Sequence, residues 1–208
     1  LTITAYDAGN NVVTSDDVTQ VQLSSSGSAQ FGSPTGTLTD GVLVTTLRND
    51  VVQNFTVTAE ELGGGPPSGT SASIGVTNAG TYQVANTAGN GSDITAGATR
   101  DLQATVRDAY NNVVPGALVT FSILSAPDGT AFFTDADGDP NDGIAVANAS
   151  GVATVTYHTA LTAGTNTVNA QILDGSPAGL EKATFTVGTV SSGATRLRIT
   201  FLSATTAA

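Results

Sequence analysis

A thirteen-residue segment at the start of the chain recurs about a hundred residues later. Leu1–Val13 reads LTITAYDAGNNVV and Leu102–Val114 reads LQATVRDAYNNVV, with the alternating apolar positions, an Asp and the Asn-Asn-Val-Val ending in register. An internal repeat of this period in a chain of 208 residues predicts two copies of one module.

The two copies are cut unevenly. A strand-like segment, Thr81–Thr87, precedes the second copy, whereas the first copy has none, and a spare one, Thr195–Ser203, follows at the far end. A repeat whose first strand is displaced in this way belongs to a longer array or to a polymer closed between chains. We therefore predict a module lacking its first strand over residues 1–79, a complete module over 80–190, and a spare first strand over 191–208, which is donated or begins a further module.

Alternation of apolar and polar residues predicts β-strands throughout, and no stretch carries a helical period of useful length. The apolar positions in the first module are Leu1/Ile3/Ala5, Val21/Leu23, Phe55/Val57/Ala59 and Ala72/Ile74/Val76. Those in the second are Leu102/Ala104/Val106, Val119/Phe121/Ile123, Ala153/Val155/Tyr157, Val168/Ala170/Ile172 and Ala183/Phe185/Val187. Short strands separated by Gly-, Asn- and Asp-rich turns are typical of an all-β, antiparallel β-sandwich. Gly63–Gly69 is predicted to be a hairpin loop, and the module junction is predicted near Asn78–Gly80.

Composition limits the partners that such modules bind. The chain is 39% hydrophobic but 5% aromatic, without Cys, Met or Trp, so each module buries a small aliphatic core. The net charge of −11 repels phosphate backbones and anionic lipids, which argues against nucleic acid and membrane surfaces as partners. With no apolar run of about eighteen residues and a Leu at the start, we expect a mature or excised fragment without membrane insertion.

The segments Asp108–Phe121 (DAYNNVVPGALVTF) and Ala149–Tyr157 (ASGVATVTY) carry a family resemblance. They resemble the bacterial immunoglobulin-like domains of intimin- and invasin-type surface adhesins. The first module matches through Asp7–Val13, Leu38–Leu47 (LTDGVLVTTL) and the Phe55–Ala59 strand. The resemblance implies tandem Ig-like sandwiches at the bacterial cell surface or outside the cell, and it is specific for fold more than for function, because such modules serve as spacers, stalks and adhesive tips alike.

An acidic stretch between Thr134 and Asn148 departs from the family pattern. Carboxylates at alternating positions, with glycines that let the chain fold back, provide the hard oxygen ligands of calcium loops. The expected Ca²⁺ ligands are Asp135, Asp137, Asp139, Asn141 and Asp142. The alternative is a solvated surface turn, since the same residue types favour turns. Asp7 and Asp108 of the repeated motif present a similar choice, between an ion at a module edge and a turn closed by backbone amides.

Catalytic patterns are missing from the sequence, and we expect no enzymatic activity. His158 is the one histidine, and without a Cys or a motif-bound Ser to activate it is expected to be an exposed strand residue. A zinc site needs more His or Cys than the chain contains. The carboxylates of Glu60, Glu61 and Glu181 lie at strand ends or turns, and aromatic platforms for sugars are scarce.

Three functions remain: a filament subunit, a segment of a tandem adhesin stalk, and an accessory binding module of a secreted enzyme. In the first, Leu197, Ile199 and Phe201 of the spare strand share one face and are expected to pack on Leu1, Ile3 and Ile74 of another copy. The filament is favoured because the extra strand at one end matches the deficit at the other. The sequence does not identify an adhesive ligand.

Overall fold

The computed structural model describes residues 1–134, 142–173, 182–193 and 197–198. The chain divides into two compact units, Leu1–Ala79 with Asp108–Asn112, and Gly80–Arg107 with Val113–Ala208. The predicted module ranges differ from this division at Asp108–Asn112. This segment joins the first unit because Asp108 Oδ2 accepts a hydrogen bond from Ala79 N and Asn112 Nδ2 donates one to Asp50 O.

The first unit contains ten short strands. They are β1 Thr2–Thr4, β2 Gln20–Ser25, β3 Gln30–Phe31, β4 Thr35–Thr37, β5 Val42–Val44, β6 Leu47–Arg48, β7 Asn54–Phe55, β8 Val57–Glu61, β9 Ser68–Thr70 and β10 Ile74–Gly75. They form a four-stranded sheet in the order β4-β2-β8-β9 and the antiparallel pairs β1-β5, β3-β6 and β7-β10. The predicted hairpin loop is confirmed, although it is shorter than expected because Ser68 and Gly69 already pair with Glu60 and Ala59.

The second unit contains longer strands in two sheets. They are β11 Thr81–Ala88, β12 Ile94–Thr95, β13 Thr99–Asp108, β14 Leu118–Ser125, β15 Phe132–Thr134, β16 Ile144–Val146, β17 Val152–His158, β18 Gly164–Ile172 and β19 Lys182–Val190. The sheets have the orders β11-β13-β17-β15 and β12-β19-β18-β14-β16. All the assigned elements of the described residues are strands, which confirms the all-β prediction. None of the described residues forms a helix long and apolar enough to cross a membrane.

Equivalent strands pair in the same register in both units. Ile3 lies opposite Leu43, as Ala104 lies opposite Ala153. In the facing sheet, Leu23 lies opposite Ala59, as Phe121 lies opposite Ala170. These matches make β1, β2, β4, β5, β8 and β9 the counterparts of β13, β14, β16, β17, β18 and β19. The sequence repeat is therefore a repeat of topology.

The two cores differ in extent. In the second unit, one continuous cluster of buried side chains spans both sheets and includes Leu102, Phe121, Tyr157 and Phe185. In the first unit the fully buried part of the cluster consists of Val21, Leu23 and Leu38, with half-buried residues packed around it. Since apolar burial drives folding roughly in proportion to area, the second unit has the larger hydrophobic stabilisation.

A candidate strand-binding groove

One edge of β1 is open in the described part of the first unit. Its counterpart β13 is hydrogen-bonded to β11 on one side and to β17 on the other, whereas β1 pairs with β5 alone. The facing edge repeats this difference, since β19 pairs with β12 as well as β18, while β9 has β8 as its one partner among the described strands. The first unit thus lacks partners at the two edges that β11 and β12 occupy in the second.

A groove of about 260 Å³ lies at these open edges. Its apolar lining consists of Ile3, Ala5, Val21, Leu38 and Ala59. The remaining lining residues are Thr4, Tyr6, Thr19, Glu60, Glu61 and the segment 67–69. The groove therefore combines an apolar floor with one edge each of β1 and β9 that pairs with no other described strand, which is what an added strand requires.

Burial at equivalent positions shows what fills this space in the second unit. Ile3 and Ala5 are half-buried, but their counterparts Ala104 and Val106 are 0% exposed. Val84 of β11 is itself 3% exposed and belongs to the same core cluster as these two residues. The groove corresponds to the place where β11 packs its apolar side chain.

One end of the groove is acidic. Glu61 lies opposite Val21 in the β2–β8 pair and so starts from the same face of the sheet, but its side chain is exposed to solvent. The equivalent residue of the second unit, Ile172, lies opposite Val119 and is 7% exposed. Within the described residues, Arg48–Asp50 is the one ion pair, and neither Glu60 nor Glu61 takes part in it.

The interface residues predicted from the sequence are only partly brought together. Ile3 lines the groove, whereas Leu1 and Ile74 do not. The terminal amine of Leu1 donates a hydrogen bond to Thr45 O, and Ile74 pairs with Phe55 in the β7–β10 pair. Ala5, Val21, Leu38 and Ala59 line the groove together with Ile3, and the shared register with the second copy could have indicated them. The interface between copies stays a prediction. Leu197 is 94% exposed, and Ile199 and Phe201 lie outside the described residues.

The predicted calcium ligands Asp135, Asp137, Asp139 and Asn141 also lie outside the described residues. Asp142 is described, and its Oδ1 accepts a hydrogen bond of 2.7 Å from Ile144 N. No group of three or more His, Cys, Asp or Glu that could hold a metal occurs among the described residues. The calcium site stays a prediction.

Asp7 and Asp108 both close the turn of the repeated motif. Oδ1 of Asp7 accepts hydrogen bonds from Gly9 N and Asn11 N, and Oδ1 of Asp108 accepts them from Tyr110 N and Asn112 N. The hydrogen bonds from the Asn11 backbone and side chain lower the pKa of Asp7. For Asp108, burial raises the pKa, but hydrogen bonds from the Asn112 side chain and from three backbone amides outweigh it, so the net shift is downward. These amide donors support the turn interpretation over the ion at a module edge.

His158 lies in β17, where it is half-buried instead of exposed as expected. Its ring stacks on Phe132 with a centroid distance of 4.1 Å, and Nε2 lies 3.1 Å from Thr134 Oγ1. A buried pair in the same unit, Tyr157 and Asn166, was not predicted from the sequence; the phenol donates a hydrogen bond of 2.9 Å to Asn166 Oδ1. Burial raises the pKa of Tyr157 to about 12, as expected for a structural phenol kept neutral.

No family model and no curated protein matches this sequence. Among solved structures, domains 4 and 5 of the S-layer protein SbsC match at 15% identity and a TM-score of 0.40, covering 90% of this chain and 80% of that one. The Escherichia coli adhesin FdeC matches at 21% identity and a TM-score of 0.44, covering 90% and 58%. A glycosyl hydrolase family 2 member from Bacteroides cellulosilyticus matches at 15% identity and a TM-score of 0.42. That match covers 84% of this chain and 22% of the hydrolase.

At these identities and TM-scores, neither activity nor partner follows from the matches. The assignment of the fold rests on the chain itself: an internal repeat, identical strand register in its two copies and two facing sheets in the second. These features show that the chain has the fold of two immunoglobulin-like antiparallel β-sandwich modules, one after the other in sequence.

Proposed function

We propose that this chain is a structural segment of an extracellular bacterial rod, assembled head to tail by strand complementation. In this assembly, Thr195–Ser203 of one copy enters the groove of the first unit of the next copy. The observation that carries the proposal is the open edge of β1 above an apolar groove, at the position that β11 fills in the second unit.

The energetics favour such a complex. Fully burying Leu197, Ile199 and Phe201 contributes about 1.5–3 kcal/mol for each side chain, and new backbone hydrogen bonds form along β1. Ordering the strand and losing translational freedom oppose this gain. The exposed Leu197, at 94%, is apolar surface that the complex removes from water.

Disulfide trapping tests the proposal. Because the chain has no cysteine, every disulfide that forms involves the introduced thiols. The variant Ala5→Cys/Ile199→Cys places one thiol in the groove and one in the spare strand. On oxidation we expect a ladder of covalent oligomers on a non-reducing gel. A matched variant, Leu124→Cys/Ile199→Cys, uses a residue of the second unit that is 60% exposed, and it is expected to remain monomeric.

Two outcomes contradict strand donation between copies. A disulfide formed within one chain would mean that the spare strand folds back on its own molecule. Oxidised chains that stay monomeric with both thiols free would favour the stalk segment, in which the groove is filled by a neighbouring module of the same polypeptide. Electron microscopy separates the same alternatives: strand donation between copies gives chained rods, and its absence gives monodisperse particles.

A further inference from the structure

We propose that the exposed turn formed by residues 7–11 binds a second copy of this chain, at Ser192 and at the exposed loop 161–163. This inference rests on the proposed function, because it names a further contact surface of the same head-to-tail assembly. It begins from the repeated motif, whose second occurrence already holds other parts of the protein.

The Asp108–Asn112 turn binds a loop and a chain segment of the first unit through two of its side chains. Asn112 Nδ2 donates a hydrogen bond of 2.8 Å to Asp50 O, and Val52 N donates one of 3.2 Å to Asn112 Oδ1. Asp108 Oδ2 accepts one of 3.2 Å from Ala79 N. One carboxylate and one amide side chain thus make three hydrogen bonds outside the turn.

Turn 7–11 has the same internal structure without such neighbours. Asp7 Oδ1 accepts hydrogen bonds from Gly9 N and Asn11 N, in the pattern of the repeated turn. Asp7 and Asn11 are both exposed, whereas Asp108 is 2% exposed. Among the described residues, neither the Asp7 nor the Asn11 side chain bonds a group outside the turn. The side chains that bind protein in the second copy of the motif are therefore in place in the first, and open to solvent.

The counterpart of Ala79 in the second unit is Ser192. The strands that precede the two residues are equivalent, because Ile74 and Val187 occupy the same register position on them. Ala79 and Ser192 each lie five positions after this strand residue, and a glycine follows each. Ser192 is exposed, and its N–H has no hydrogen-bond partner within the described ranges.

The counterpart of the Asp50 and Val52 backbone lies in the loop that follows β17. Arg48 ends β6 as His158 ends β17, and the strand register makes these two residues equivalent. The segments after them, 49–53 in the first unit and 159–163 in the second, are therefore equivalent loops.

The loop of the second unit presents backbone groups that nothing in the described part of the chain binds. Leu161 is 71% exposed and Ala163 is exposed, and neither Leu161 O nor Ala163 N has a hydrogen-bond partner there. Asp128 Oδ2 accepts a hydrogen bond of 2.7 Å from Thr162 N, which holds the loop in this shape. The loop thus offers a preformed acceptor and donor to the amide of Asn11, which lowers the entropy cost of binding.

These contacts are compatible with strand donation in one complex. Ala79 lies just before β11, and Ser192 lies just before the spare strand Thr195–Ser203. A copy whose spare strand enters the groove of the next copy therefore brings its Ser192 N to Asp7 Oδ2 and its loop 161–163 to Asn11. Polar contacts at the rim of an apolar interface fix its register. Turn 7–11 thus recognises the end of a folded module in addition to the donated strand.

Amide hydrogen exchange on the full chain tests the inference without any substitution. When the chain associates, we expect exchange at Ser192 N and Ala163 N to slow by about 10-fold or more relative to a dilute sample, because both amides become hydrogen-bonded.

Substitutions provide a second test, with association measured by sedimentation velocity and folding by circular dichroism. Asn11→Ala removes two of the three hydrogen bonds, and we expect about 10-fold weaker association. Ala163→Pro removes one of the same two from the other side, so the combined variant should associate no more weakly than Asn11→Ala. The matched control is Asn148→Ala, which also removes a turn-closing Asn, one that accepts from Ser150 N and Val152 N, and it should leave association unchanged.

The two proposals fail in different ways. If the chain associates while exchange at Ser192 and Ala163 is unchanged, or if Asn11→Ala associates as well as the unmodified chain, binding by turn 7–11 is wrong and strand donation stands. Additive losses in the combined variant would also overturn it, because the two residues would then act separately. If the unmodified chain does not associate at all, the proposed function is wrong, and this contact with it.

Discussion

The two units share one strand register but differ in how completely their sandwiches are closed. In the second unit, β11 and β12 cap the edges of β13 and β19, and Ala104 and Val106 are fully buried beneath them. In the first unit the equivalent Ile3 and Ala5 are half-buried at a groove. The comparison teaches that the strands at these two edges decide whether the apolar positions beneath them are fully or only half buried.

The largest expected effect comes from truncating the same core position in both units. Phe121 is 2% exposed and contacts Phe133 and Phe185, so Phe121→Ala should lower the free energy of unfolding of the second unit by about 3–5 kcal/mol. Its counterpart Leu23 packs in a small cluster, and Leu23→Ala should cost about 2 kcal/mol, the low end for such changes. Chemical denaturation followed by amide hydrogen exchange assigns each loss to its unit. Equal losses would mean that the cores are equally well packed.

Calcium is expected to act on one unit alone, because the acidic stretch at Asp135–Asp142 has no counterpart in the first copy. If the stretch binds Ca²⁺, a free concentration one hundred times the dissociation constant stabilises the second unit by about 2.7 kcal/mol. Melting curves in calcium and in chelator, at matched ionic strength, measure this effect. Identical curves would leave the solvated turn as the interpretation. A calcium-dependent rise in the melting temperature of the first unit instead would place the ion elsewhere.

A smaller effect is expected from making the groove resemble the closed unit. Ala5 occupies the position of Val106, so Ala5→Val fills part of the groove and should stabilise the isolated chain by about 1 kcal/mol. The same change should weaken association, because the added methyl groups occupy space that the entering strand needs. Thermal unfolding and sedimentation velocity measure the two effects. A destabilised chain would mean that the groove is too narrow for the larger side chain.

The smallest expected effect is on acid stability, which compares a turn carboxylate from each unit. The side-chain and backbone hydrogen bonds of Thr130 lower the pKa of Asp128 in the second unit to about 2, and those of Asn11 lower the pKa of Asp7 in the first. A carboxyl whose pKa is depressed on folding stabilises the protein above its ordinary pKa, and this contribution is lost as the pH falls through the folded value. Stability should therefore decline between about pH 4 and pH 2, and Asp128→Asn should flatten the decline in the second unit. Carboxyl chemical shifts provide the test; an Asp128 that titrates near 3.8 would contradict the prediction.

Local pattern was sufficient for the strands with strict alternation. β17 and β18 were predicted from Ala153/Val155/Tyr157 and Val168/Ala170/Ile172, and each of these side chains is buried. The two-residue strands β3 and β6 were not predicted, since two residues carry no period and their pairing depends on partners distant in sequence. The half-buried state of His158 was missed for a similar reason, because Phe132, on which it stacks, belongs to another strand.

The sequence by itself determined the repeat, the all-β class and the alternation of the spare strand, because each can be read from the order of residue types along the chain. The tertiary structure decided which apolar side chains line the groove: Ile3 with Ala5, Val21, Leu38 and Ala59, but neither Leu1 nor Ile74. It also placed Glu61, whose side chain is exposed, at the acidic end of the groove. These facts depend on register between distant strands, where a shift of one residue exchanges the two faces of a sheet.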